Sequence, residues 1–162
     1  MNILRTIGLT SIVLVTAMYV TPAFAADEHN VTPGLTGSGA PLGLHGVDPV
    51  TFIELGNRLE GHASIVSNHD GVSYYFTTKD SMEKFKKNPS QFTPENGGFC
   101  TFGVSVGKKF DGNPKYASVY NEKLYVFLNE AVLKMFLKDK DGTIAKASEQ
   151  WSKIQHTAAS AL

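Results

Sequence analysis

The chain has 162 residues, fifteen basic against fifteen acidic side chains, and a hydrophobic fraction of 42%. That is one domain's worth of chain, with enough apolar residues to bury a core unaided by disulfides or a structural metal. The balanced charge provides no basic stripe for nucleic acid or for an anionic membrane surface.

The first segment reads as a leader. Arg5 gives a positive start, Ile7 to Val20 is an uncharged apolar stretch, and Ala23-Phe24-Ala25 offers small residues where a signal peptidase reads. Cleavage after Ala25 is expected, which places the mature chain in the periplasm or outside the cell. A retained anchor fits less well, because the stretch is shorter than the ~20 residues needed to span and is bounded by Pro22. The n-region has no paired arginine and no cysteine lies near the cleavage site, so neither twin-arginine export nor a lipoprotein anchor is indicated. Losing Arg5 leaves fourteen basic against fifteen acidic side chains.

Residues 26–43 are rich in threonine, proline, glycine and serine, which predicts a flexible N-terminal arm. His29 would reach a square-planar copper(II) site only as third residue of the mature chain; cleavage after Ala25 makes it fourth.

The domain proper is predicted over 44–156, with a tail at 157–162. Asp48-Pro49 supplies an N-cap and first-turn proline for a short helix that stops at Gly56. A strand from His62 to Asn68 turns through Asp70-Gly71, a type I′ pair, into Val72 to Thr77. This register sets Ile65 opposite Phe76, Val66 opposite Tyr75 and Ser67 opposite Tyr74. Thr77-Thr78-Lys79-Asp80 reads as a capping box for a helix carrying Met82 and Phe85, ended by Asn88-Pro89, with Lys84, Lys86 and Lys87 on a solvated face. A second hairpin, Tyr116 to Tyr120 and Lys123 to Leu128, joins through Asn121-Glu122. Asn129 caps a helix that Gly142 is placed to terminate, and Ile144, Ala147, Trp151 and Ile154 form the core stripe of the last helix. The expected class is α+β: a small antiparallel sheet built from two hairpins, packed with short helices.

Three spaced segments carry a resemblance: Gly46-Val47-Asp48-Pro49-Val50, Tyr74-Tyr75-Phe76 and Gly97-Gly98-Phe99-Cys100, followed by Gly107 to Pro114. Together they resemble the YHS domain family in its longer, exported bacterial form, over about Leu44 to Ile154. The resemblance implies a small binding domain associated with metal or redox contexts. In the compact, cysteine-bearing form of that family one cysteine follows the Asp-Pro-Val segment and two more flank the helix start after the Tyr-Phe strand. Here those positions are Thr51, Thr77 and Ser81, and hydroxyls are poor ligands for soft metals, so a cysteine metal cluster is excluded there. Val47 also departs from the tyrosine usual in the longer form.

Cys100 is the only cysteine, so no intramolecular disulfide is possible. Its bland role is that of a small apolar side chain between Phe99 and Phe102; its functional role would be a thiol ligand. The remaining candidate ligands are His45, His62, His69 and Asp48, none at a diagnostic spacing. His45 abuts the Asp48-Pro49 turn, and Cys100 with His45 could form a two-residue site for copper or for an axial position of haem. Gly103 to Lys109 has three residues between glycines where a phosphate loop needs four, and Ser105 lacks the surroundings of a hydrolase nucleophile. Two functions therefore stand before a third, a thiol-dependent enzyme. One is an exported YHS-type binding module taking a transition metal or metal cofactor through Cys100 and His45. The other is an accessory module without metal, whose Gly97–Pro114 loop touches a partner protein or small ligand.

Overall fold

A computed structural model describes residues 28–162. The expected leader and cleavage site lie outside the described residues. Among the described residues no helix is long and apolar enough to cross a membrane.

Strands β1 (Val31–Thr32), β2 (Leu42–Gly43), β3 (His62–His69) and β4 (Val72–Phe76) form one sheet in the order β1-β2-β4-β3. The β2–β4 pairing, Leu42 against Ser73, is parallel, so this sheet is mixed. Strands β5 (Asn113–Tyr120) and β6 (Lys123–Phe127) form a separate antiparallel pair. Helices α1 (Pro49–Leu55), α2 (Lys79–Lys87), α3 (Pro89–Phe92), α4 (Thr101–Ser105), α5 (Glu130–Lys138) and α6 (Lys140–Ile154) surround them. The class is α+β with short helices, as predicted, but the single sheet made of two hairpins is corrected to two sheets. The extra strands come from the segment whose composition predicts an arm.

Residues 28–43 are ordered on the domain. Val31 and Thr32 pair with Gly43 and Leu42, the backbone N–H of Asn30 donates to Gly97 O at 2.8 Å, and Ala40 is buried. Thr36 and Ser38 hydroxyls bond the buried Ser73 hydroxyl, each at 2.8 Å. Composition misleads here because small polar residues can be ordered by hydrogen bonds when a sheet edge supplies the partners. A chain starting at Gly43 is consequently expected to melt at least about 5 °C lower than one starting at Ala26, a shift that thermal denaturation reads directly.

The first turn is as predicted: Asp70 and Gly71 have φ of 47° and 75°, the type I′ signature. Val66 faces Tyr75 and Ser67 faces Tyr74, but a register irregularity between His62 and Val66 leaves Phe76 opposite His62 instead of Ile65. Ile65 still packs beside the cluster of Val50, Val72, Tyr74, Phe76, Phe85 and Phe92, so the core face is preserved. The capping box starts one residue late, with Thr78 as N-cap and Ser81 as its partner. Thr77 is unavailable for it because both its N–H and its hydroxyl donate to Asp48 Oδ2, each at 2.8 Å. Gly142 does not end α5; Asp139 intervenes, and the Gly142 N–H donates to Asp139 Oδ1 at 3.0 Å in the first turn of α6. A Cβ at 142 would press on that same carboxylate, so a larger residue there would have to displace the Asp139 cap.

Candidate functional site

Cys100 and His45 occupy unlike surroundings. Cys100 is 1% exposed and packs with Tyr125, Phe127 and Phe136, with Phe102 alongside. Its backbone N–H donates to Phe110 O at 2.9 Å. This is the bland role foreseen for it, although its aromatic neighbours come mainly from β6 and α5. His45 is partly exposed, and its Nε2 lies 3.0 Å from Asp111 Oδ1, which also accepts from Asn30 Nδ2 at 2.9 Å. Leu44, His45 and Gly46 all have positive φ, so the backbone itself is turned to deliver His45 to Asp111. The two residues thus flank one stretch, Phe110-Asp111, with the thiol directed into an apolar cluster and the imidazole on a carboxylate. Among the described residues no group of three or more histidine, cysteine, aspartate or glutamate side chains is arranged to hold a metal ion.

Asp48 is a buried structural centre. It is 0% exposed, and its Oδ1 accepts from the Val50 and Thr51 N–H groups at 2.9 and 3.2 Å. Its Oδ2 accepts from the Thr77 N–H and from the Thr77 and Ser81 hydroxyls, all at 2.8 Å, while the Thr51 hydroxyl donates to the Asp48 carbonyl at 3.2 Å. Five donors on one carboxylate tie α1 to the start of α2 and leave little capacity for a further ligand.

The open space lies elsewhere. A cleft of 320 Å³ is walled by Glu28 and His29, by His69 and Asp70 at the β3–β4 turn, by Tyr74, by Pro94 and Gly97, and by Trp151 and Gln155 of α6 and its C-cap. An adjoining groove of 540 Å³ shares Glu28, His29 and Asp70 and continues over Val31, Leu35, Ala40, Pro41 and Val72. These volumes fall within the ~300–1,000 Å³ range of small-molecule sites. Gly97 fixes the approach of the N-terminal segment: its φ is 62°, and a Cβ there would collide with the Glu28 carbonyl. The His69 ring stands edge-on to Phe85 with centroids 6.1 Å apart, and its Nε2 lies 3.2 Å from Asp70 Oδ2. His156 Nδ1 lies 2.6 Å from Glu28 Oε1, and this bond holds the Glu28 carboxyl below its ordinary range.

Burial pushes the His29 imidazole below its ordinary value of 6.5, against the opposing pull of Asp70 and Glu28. The unfolded chain therefore binds a proton at His29 before the folded one does. His29 costs no stability above pH 6.5 and an increasing amount as the pH falls below it. Denaturant midpoints measured at about pH 7.5 and pH 5.5 should show a loss on acidification that His29→Gln reduces.

From the sequence His69 reads as a turn residue and His29 as an unattached one. Forty residues separate them, and only the packing of β1 and β2 beside β4 brings their segments to one wall. Compared with protein-family models, curated proteins and solved structures, the chain matches none.

Proposed function

We propose that the chain is an exported YHS-type binding module without an enzymatic centre, and that it takes a small ligand in the cleft between its N-terminal segment, the β3–β4 turn and α6. One observation carries the reading: two cavities meet at Glu28, His29 and Asp70, where imidazole, carboxylate, phenol and indole groups face one space. The Gly97–Pro114 segment, expected as a loop, holds α4 and the first residues of β5, and it contributes Gly97 to that wall, where the glycine admits the N-terminal segment. The leader at residues 1–25 supports export. Thr51, Thr77 and Ser81, which depart from the cysteines of the compact form, all bond to Asp48. Hydroxyls and a carboxylate satisfied among themselves make that place a structural tie.

The competing reading places copper or haem on Cys100 and His45. A thiol packed among aromatic side chains is shielded from ligand exchange, which favours the cleft. Native mass spectrometry and elemental analysis of protein isolated without chelators separate the two. The expected result is a bound small molecule that Trp151→Ala removes and Cys100→Ala leaves in place. Stoichiometric copper or haem that disappears in both Cys100→Ala and His45→Ala would overturn the proposal.

A further inference from the structure

The two cavities differ in character. The cleft side presents the carboxylates of Glu28 and Asp70 with the rings of Tyr74 and Trp151. The groove side continues from the same two carboxylates along Val31, Leu35, Ala40, Pro41 and Val72, a wall of aliphatic side chains. We infer that the ligand is an amphiphilic organic cation, an amine or guanidinium head lodged between Glu28 and Asp70 with an apolar body along the groove.

The inference rests on the cleft being the binding site, as proposed above. Glu28 and Asp70 are common to both cavities, so a head group at their junction lets one molecule occupy both. A carboxylate accepts several hydrogen bonds, and each of these two is engaged by an imidazole on one oxygen, Glu28 by His156 and Asp70 by His69. Ammonium and guanidinium groups supply donors and opposite charge together. Among the described residues, the charged and titratable groups at the junction are those two carboxylates, the histidines His29, His69 and His156, and Lys109, whose field reaches Glu28 and His29. Lys109 is committed elsewhere: its ammonium donates to Gln155 O at 3.0 Å and Thr157 O at 2.8 Å and lies over the Phe99 and Trp151 rings. His29 is held neutral by burial and adds no positive charge at neutral pH. An anionic head would meet two carboxylates at the junction, and a neutral one would bring their remaining oxygens no charge-assisted donor. The aliphatic wall, with Leu35 74% exposed, gains cover only from a ligand that has an apolar body.

The test uses three probes with one apolar chain and different heads, n-octylammonium, n-octanol and n-octanoate, with n-butylammonium as the short-chain control. Each is titrated into the full chain below its aggregation concentration and followed by amide chemical shifts. Octylammonium is expected to bind at least tenfold more tightly than octanol or octanoate and than butylammonium, with shifts at residues 28–31, 35–41 and 69–72. Asp70→Asn and Glu28→Gln should each weaken it several-fold without changing the octanol affinity; asparagine suits the positive φ at 70, so that variant keeps the turn. Equal binding of octanol and octylammonium, or a preference for octanoate, would overturn the ligand class while leaving the cleft as a site. Failure of every probe to shift these residues would overturn both.

Discussion

Replacing Asp48 with alanine is expected to destabilise the protein by on the order of 4 kcal/mol, enough to remove much of the stability of a domain of this size. The carboxylate is wholly buried and receives three N–H groups and two hydroxyls. Alanine would leave those donors without an acceptor and would also remove the N-cap of α1. Asp48→Asn should cost less, because one amide oxygen can still serve the Val50 and Thr51 N–H groups while the two hydroxyls rotate to accept. The amide NH₂ would then oppose the Thr77 N–H, so a loss of roughly 2 kcal/mol is expected. Urea denaturation of the two variants gives the ordering. A loss below about 1 kcal/mol for Asp48→Ala would mean that water replaces the carboxylate and that α1 and α2 are not held through it.

The second large effect is at Phe76. This ring is 0% exposed, lies 5.1 Å from Phe85 centroid to centroid, and packs in the main cluster between the first sheet and α1 to α3. Phe76→Ala should cost roughly 3–5 kcal/mol, whereas Tyr75→Ala, on the half-buried opposite face, should cost less than half as much. Denaturant midpoints decide it, and equal losses would mean that both faces of β4 are closed to solvent.

Local chemistry explains what is legible in the sequence. Asp48-Pro49 with Gly56, Asp70-Gly71 and Asn129 each act on their near neighbours in the chain, and each does in the structure what its residue type predicts. The second hairpin turns at Asn121-Glu122 with φ of 50° and 59°, again as expected, although β5 begins at Asn113, three residues before Tyr116. Long-range competition accounts for the misreadings. Thr77 has the residue type of a cap and is instead a donor to a carboxylate 29 residues away. Residues 28–43 have the composition of a mobile arm, which says nothing of the strand edge that receives them. The cleft is hidden for the same reason: its walls come from four separated segments, and no spacing in the sequence relates Glu28 to Asp70 or Trp151. Cys100 is readable as a packing residue from Phe99 and Phe102, but its aromatic shell of Tyr125, Phe127 and Phe136 depends on the second sheet.

On the proposed function, ligand enters the cleft at Glu28, His29 and Asp70 and leaves the Cys100 and His45 region untouched. Amide chemical-shift mapping of the folded protein against a charge-balanced set of small polar and amphiphilic fragments tests it most directly. The responding residues are expected to cluster at 28–31, 69–72, 97 and 151–155, with residues 45, 100 and 111 unmoved. Shifts concentrated at 45, 100 and 111, with the cleft silent, would contradict it.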